Sequence, residues 1–370
     1  MMNVETLLKD AKVVYRKPNF STSRHIVVSI PAIREEKTIG KVIHKINKEL
    51  GDSAYVVICV KDANDPTIAE AIKAGADAII LQPHSGYGLA HITAMRYGLT
   101  INPKANVVIM VDGDDTYDLS KLKEMVNFSL ERNAVVIGDR LYKGWPRKSM
   151  TLVNYIGNVI LSRALFRILF NAKVSDTQTG LKVIPSSLVY MFKSIGMEFS
   201  TEVLVIAIRK RMPIISLPIE YYPRSSPSKL RAVRDFIRII IYMSRESIIK
   251  FLLIGFLSLL FAQLVLVFLL KLNFQNFLAL LVAGESSIWF GFTLNDRVYA
   301  REYKSLRSFF IRGLKYNLNY VVSVLMGAVL AYLIHRYTGL HLVYSNFIVS
   351  LILVPVNYYL NLVYTWSWGH

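Results

Sequence analysis

The chain has 370 residues, enough for two or three domains. Its hydrophobic content of 53% and mean hydropathy of +0.37 are high for a wholly soluble protein, and its net charge of +18 calls for an anionic partner. With so much apolar sequence beside the basic residues, a lipid surface and phosphorylated ligands are favoured and no nucleic-acid partner is expected; the lone Cys59 excludes an internal disulfide and fits a reducing cytoplasm.

Met1 to Arg24 is polar and basic without an apolar core, so residues 1–25 read as an N-terminal extension with no signal peptide. His25 to Ile30, followed by Pro31, predicts a buried strand. Glu35 to Leu50 predicts an amphipathic helix with Ile39, Val42, Ile43 and Ile46 on one face. Tyr55 to Val60 is a second strand, Thr67 to Gly75 a helix ending in glycine, and Ala78 to Leu81 a third strand. A helix over Leu89 to Leu99, a strand over Val107 to Val111, a helix over Leu119 to Arg132 and a strand over Ala134 to Ile137 follow. This alternation predicts a doubly wound, mostly parallel α/β sheet. Met150 to Phe170 is helical, with Arg163 and Arg167 among large apolar residues, and either packs on the sheet or lies on a bilayer. Ile214 to Pro218 is another short strand.

Apolar runs are short up to about residue 225 and lengthen to membrane-spanning size beyond 247. Ser228 to Lys250, with Lys229, Arg231, Arg234, Arg238 and Arg245, predicts a basic interfacial helix. Four spans are expected over roughly 248–270, 274–294, 314–334 and 343–364. The segment joining the second and third holds Arg297, Arg301, Lys304, Arg307, Arg312 and Lys315, which places it and both termini in the cytoplasm. Asn295, Asn357 and Asn361 end the even-numbered spans as a faint repeat and are expected to bond between helices. Gln263 and Glu285 are polar groups within spans, and Glu285 is the costlier to bury.

The chemistry concentrates where strands end. Val107 to Val111 runs into Asp112-Gly113-Asp114-Asp115, delivering hard oxygen ligands to the carboxyl edge of a sheet, where open α/β folds bind ligands. Asp112 and Asp114 can both face a divalent cation that grips a diphosphate; an ordinary acidic turn is the plain alternative. Pro31 to Glu36, Asp62, Ser85-Gly86-Tyr87-Gly88, Asp139-Arg140, Asp176 to Gly180, Phe199 to Glu202 and Arg224 to Lys229 complete an ordered series at strand ends. Such a series is far less frequent by chance than any single member.

On these residues the region 26–230 resembles family 2 glycosyltransferases of the GT-A fold, in particular the dolichyl- or polyprenyl-phosphate mannose and glucose synthases. Ile30-Pro-Ala-Ile-Arg-Glu-Glu36 resembles the family's IPAYNEE opening, and Asp62-Ala-Asn-Asp-Pro-Thr67 a shortened DDGSTDGT. Asp112-Gly-Asp114 is similar to the metal-binding DxD, and Arg224 and Lys229 stand in the place of the RxxGxSK ending. The region 248–370 resembles the four-helix GtrA-like module. Departures are Ile33 and Arg34 for tyrosine and asparagine, Lys61 for the first aspartate of the second motif, and Thr116 where many mannose synthases have a metal-binding glutamine. Asp176-Thr-Gln-Thr-Gly180 is closer to the glucose-transferring branch.

The resemblance implies a catalytic domain over 26–227, an interfacial helix over 228–247 and a four-span membrane domain over 248–370. It implies a nucleotide-sugar site of Pro31, Ile33, Glu35, Asp62, Gly88, Asp112, Gly113 and Asp114. Mg or Mn would be held by Asp112, Asp114 and Thr116, and an acceptor-phosphate site would comprise Arg140, Glu202, Arg224 and Lys229. Asp112, Asp114, Arg224 and Lys229 are the expected catalytic set. The expected donor is GDP-mannose, or UDP-glucose next; the acceptor is dolichyl or polyprenyl phosphate, in a bilayer-embedded chain that could form a homo-oligomer. A lipid monophosphate ionises fully near neutral pH and needs positioning rather than a general base. Two alternatives stand beside this reading. A processive polysaccharide synthase is disfavoured because no Gln-x-x-Arg-Trp motif is found. A translocator of lipid-linked sugars with a degenerate front domain draws on the departures at 33, 34 and 61.

Overall fold

The computed structural model describes residues 4–18, 24–225, 232–300, 305–340 and 342–366. The chain divides into two compact units, one of residues 1–166 and 174–242 and the other of residues 167–173 and 243–370.

The first unit is built on an eight-stranded sheet. Its strands are β1 (Lys12–Arg16), β2 (Ile26–Pro31), β3 (Ala54–Val60), β4 (Ala78–Leu81), β5 (Val107–Met110), β6 (Val135–Asp139), β7 (Lys182–Pro185) and β8 (Ile214–Pro218). Their order is β1-β4-β3-β2-β5-β7-β6-β8. The pairs β4/β3, β3/β2, β2/β5 and β6/β8 are parallel. Near-continuous apolar runs in β2, β3 and β5 are what such a sheet requires, since both of its faces are covered. Cys59 lies fully inside this core on β3, in register with Pro31.

Two strands depart from the expected pattern. β7 runs antiparallel between β5 and β6, and its Lys182-Val-Ile-Pro185 shows neither alternation nor an apolar run. The expected N-terminal extension is part of the fold: β1 adds antiparallel to β4, and Val4 and Leu7 of α1 (Val4–Leu8) are buried. The polarity of residues 12–16 is that of an edge strand, where lysine and arginine discourage further pairing.

Helices α2 (Ile39–Leu50), α3 (Thr67–Lys73), α4 (Tyr87–Ile101) and α5 (Leu122–Arg132) cover the sheet. The apolar face read for α2, Ile39, Val42, Ile43 and Ile46, is buried. The helix starts four residues later than its amphipathic pattern. The backbone N–H groups of Arg34 and Glu35 are taken by the Asp65 carboxylate and the Thr67 hydroxyl, and Arg34 sits at φ 52°. A residue held in that left-handed conformation cannot continue a helix.

The stretch after Met150 comprises α6 (Leu152–Val159), a π-helical segment over Ile160–Phe166 and α7 (Arg167–Phe170). Leu161, Ser162 and Phe166 are buried, whereas Leu152, Val153, Ile156 and Ile160 remain exposed. Helix α8 (Phe199–Arg209) is buried through Ile208, and α9 (Ala232–Glu246) carries Arg234, Arg238 and Arg245.

The second unit holds α10 (Ile248–Lys271), α11 (Asn276–Tyr299), α12 (Leu306–Thr338) and α13 (Leu342–Leu360), the last continued by a π-helical turn over Asn361–Thr365. The asparagines do bond between helices. Asn295 donates to the Tyr316 hydroxyl at 3.1 Å, Asn319 to Asn361 at 3.1 Å, and Ser323 to Asn357. Much of the expected basic loop is helix, because α12 begins at Leu306. Its Arg312 makes a two-pronged pair with the fully buried Asp296, at 2.7 and 2.8 Å. Trp366 donates its indole N–H to the same carboxylate at 3.0 Å.

Candidate active site

Parallel strands point their carboxyl ends to one edge, so β2, β3, β5, β6 and β8 deliver the segments after Ile30, Val60, Met110, Asp139 and Pro218 there. Antiparallel β7 presents its amino end at that edge, which brings in Asp176 to Gly180. The segment after β8 then pairs with the segment after β5. Asp118 N–H donates to Glu220 O at 3.1 Å and Tyr222 N–H to Thr116 O at 2.8 Å, which carries Arg224 to the acidic corner.

There the Arg224 guanidinium lies 3.0 Å from Asp114 Oδ2 and 3.5 Å from Glu35 Oε1. The other oxygen of Asp114 accepts from the Thr116 hydroxyl at 2.7 Å and from Thr116 N–H at 3.3 Å. Thr116, expected in the metal site itself, is buried with its hydroxyl turned into Asp114, whose carboxylate it orients. Gly113 holds the turn together through its carbonyl, which accepts from the Thr38 hydroxyl at 2.8 Å. Asp115, at φ 59°, points away to Lys45 at 2.6 Å.

Asp112 is gripped by two phenols. Tyr87 donates to Oδ1 at 2.9 Å and Tyr117 to Oδ2 at 3.2 Å, while Gly180 N–H donates to the Tyr117 oxygen at 2.7 Å. Gly180 has to lack a side chain here. A Cβ would overlap Asp112 Oδ2 and lie 2.7 Å from its Cγ and 2.8 Å from the Tyr117 hydroxyl. Burial first, and the Asp114 charge second, push the Asp112 carboxyl up to about 6.

A second ionic group supports the floor. Arg140 makes a two-pronged pair with Asp176 at 2.6 and 3.0 Å, and both residues are buried. Lys182 is fully buried on β7, donates to Thr179 O and to Ser200 Oγ, and has its ammonium pushed down to about 7 by burial. It ties the Asp176 to Gly180 loop to α8.

The structure thus brings Glu35, Asp112, Gly113, Asp114 and Arg224 together. Pro31 ends its strand at the same edge, and Ile33 (44% exposed) and Asp62 are open to solvent there. The Asp62 carboxylate accepts from Asn64 N–H at 3.0 Å. Gly88 is explained by packing, since a Cβ there would overlap Ser194 O and lie 2.6 Å from Phe199 Cβ. Arg140 is engaged inward with Asp176 rather than presented at the surface. Glu202 stands apart from these cations: its carboxylate accepts from Lys193 and Ser194 N–H groups at 3.1 and 2.8 Å and holds that loop. Lys229 lies outside the described residues. Tyr117 and Lys182 lay outside every motif flagged in the sequence; Tyr87 fell within the flagged Ser85 to Gly88 turn and Gly180 ended the flagged Asp176 to Gly180 segment, neither with a role of its own.

Among the described residues no group of three or more His, Cys, Asp or Glu side chains converges as a metal site. The donor chemistry nevertheless fits a divalent cation held by two carboxylates and completed by diphosphate oxygens and water. Asp112 and Asp114 lie two residues apart on one turn, an elevated carboxyl pKa is relieved by a nearby positive charge, and a guanidinium already bridges Asp114 and Glu35.

Residues 27–193 match glycosyl transferase family 2, and residues 250–366 match the transmembrane domain of GtrA/DPMS. Over 206 residues the chain is 31% identical to a dolichyl-phosphate hexose transferase of Haloferax volcanii, covering 55% of this chain and 86% of that protein. It is 30% identical over 214 residues to glycosyltransferase AglJ of the same organism, covering 57% and 68%. Among solved structures it is similar to glucosyl-3-phosphoglycerate synthase from Mycobacterium tuberculosis in complex with Mn2+, UDP and phosphoglyceric acid. That likeness has a TM-score of 0.46 and 17% identity over 62% of this chain and 83% of that one.

Proposed function

The chain belongs to glycosyl transferase family 2, and from that footing we propose that it moves one hexose from a nucleotide sugar to dolichyl or polyprenyl phosphate at the cytoplasmic membrane face. Mannose is the favoured sugar and glucose the next. One observation carries this reading: carboxylates for a metal-bound diphosphate and a cation for a second phosphate meet at one sheet edge, where Arg224 lies 3.0 Å from Asp114. The dolichyl-phosphate hexose transferase relative supports the acceptor class.

In the reaction the bond from the anomeric carbon to the diphosphate oxygen breaks and its electron pair leaves with the nucleoside diphosphate. An oxygen of the lipid phosphate forms the new bond. Mg or Mn on Asp112 and Asp114 would supply positive charge against the departing diphosphate. Tyr87 and Tyr117 fix the Asp112 carboxylate, and Thr116 fixes that of Asp114. Glu35 faces the same space and suits ribose hydroxyls, and Asp62 stands open at the edge. Arg224, with Lys229, neutralises the acceptor phosphate; because that dianion is already nucleophilic near neutral pH, no side chain has to remove a proton.

In the membrane domain α10 to α13 serve as four spans, with the basic junction around Arg297 to Lys315 in the cytoplasm and α9 lying at the interface. The test incubates the purified chain with polyprenyl phosphate, Mn2+ and a panel of nucleotide sugars, then weighs the lipid product. One hexose should be added, and Asp114→Ala should abolish the gain. Full turnover by that variant in the presence of a chelator sinks the assignment.

A further inference from the structure

We propose that Arg224 and the donor's divalent cation compete for the same carboxylate oxygen, so that loading the donor releases Arg224 to bind the acceptor phosphate. This rests on the transferase reading above.

The argument follows from counting oxygens. Asp114 Oδ1 is already spent on the hydroxyl and N–H of Thr116. Both oxygens of Asp112 accept from phenols. Asp114 Oδ2 is therefore the oxygen best placed for a metal, and it is the one that Arg224 holds at 3.0 Å. A guanidinium and a divalent cation repel each other, so each weakens the other's hold on that oxygen. Arg224 is also built to leave. Its side chain is 26% exposed, its Nε has no hydrogen-bond partner among the described residues, and its second contact, to Glu35, is a loose 3.5 Å. The strand-like bonding of its segment to the acidic corner is anchored at Tyr221 and Tyr222, three and two residues earlier, so the side chain can swing about a fixed root. Once off Asp114, a guanidinium offers paired N–H donors to a phosphate, its strongest mode of recognition.

The experiment titrates the full chain in detergent with Mn2+ alone, following free Mn2+ by electron paramagnetic resonance. Arg224→Gln should bind Mn2+ roughly tenfold more tightly than the parent, about 1.4 kcal/mol. Lys45→Gln removes a cation that pairs with Asp115 instead, and should shift the affinity much less. Equal or weaker Mn2+ binding by Arg224→Gln overturns the competition, as does an equal gain in Lys45→Gln, which would mean that net charge alone is at work. Thermal melts check folding. If Arg224→Gln fails to fold, Arg224→Lys, with a single-point contact, should still gain several-fold. In the transfer assay, Arg224→Gln should raise KM for polyprenyl phosphate more than KM for the nucleotide sugar; the reverse pattern overturns the hand-over. The Mn2+ titration does not depend on the acceptor, so a wrong acceptor assignment and a failed competition give different results.

Discussion

Replacing Tyr87 by phenylalanine removes one O–H and nothing else, and its effect on Asp112 can be worked out. The Asp112 carboxyl stands at about 6 because burial and the Asp114 charge raise it while the phenols and Arg224 pull it down. A hydrogen bond to a charged group contributes ~1.5–3 kcal/mol, which at 1.36 kcal/mol per unit is about 1–2 pH units. The variant's Asp112 should therefore titrate near 7–8, by the same conversion. At pH 7 the ionised fraction then falls from about nine-tenths to between roughly one-half and one-tenth. Because a divalent cation must displace the proton to bind, Mn2+ affinity at pH 7 should drop about two- to tenfold and return towards the parent value by about pH 9. The assay is Mn2+ affinity against pH in the absence of nucleotide sugar. For stability the sign is the opposite of the usual carboxylate. The raised folded pKa means that Asp112's contribution is complete below 3.8 and is lost as pH rises through about 6. In Tyr87→Phe that loss should extend to about pH 7–8. An acid limb unmoved from the parent's midpoint would refute the view that the phenol keeps Asp112 ionised.

Two more outcomes follow from buried geometry. Gly180→Ala forces a Cβ onto Asp112 and the Tyr117 hydroxyl, and should cost ~1–3 kcal/mol of stability and about 10²-fold in transfer through misplacement of the carboxylate. Circular dichroism melts and rate measurements check it, and parent-like kinetics would contradict the packing. Arg312→Leu leaves Asp296 buried without its counter-charge and should destabilise the helical unit by ~3–5 kcal/mol. The double variant with Asp296→Leu should regain much of that loss in detergent-based thermal unfolding. A double variant worse than the single would show that the ion pair is not the cause.

The sheet and the acidic corner were legible because both write themselves locally. A fully apolar five-residue run must be a strand covered on both faces, and two carboxylates immediately after it can only emerge at the strand's end. Arg224 was legible as a cation but not as the partner of Asp114, because 110 residues separate them and only the Tyr222 to Thr116 pairing closes the distance. Strand β7 was not legible: its lysine is buried with its ammonium satisfied by Thr179 O and Ser200 Oγ, partners no periodicity reveals. The roles of Tyr87 and Tyr117 were not legible, because only the direction of the hydroxyl distinguishes an anchor from a core aromatic. Gly88 was expected at the nucleotide sugar, whereas the close approach that demands a glycine there comes from Ser194 and Phe199. Residues 12–16 looked like a polar tail because an edge strand and a tail share the same composition.

The single thiol of the chain has a practical consequence. Cys59 sits wholly inside β3, where burial pushes its sulfhydryl up to about 12, so a thiol-reactive probe meets neither access nor thiolate until the sheet opens. The rate of labelling is therefore a clock for the opening of the first unit, free of any signal from the helices, which contain no cysteine. A ligand that binds only the closed sheet must slow that clock in proportion to its occupancy. Every candidate nucleotide sugar can then be ranked by how long it keeps one sulfur hidden, before any product is sought.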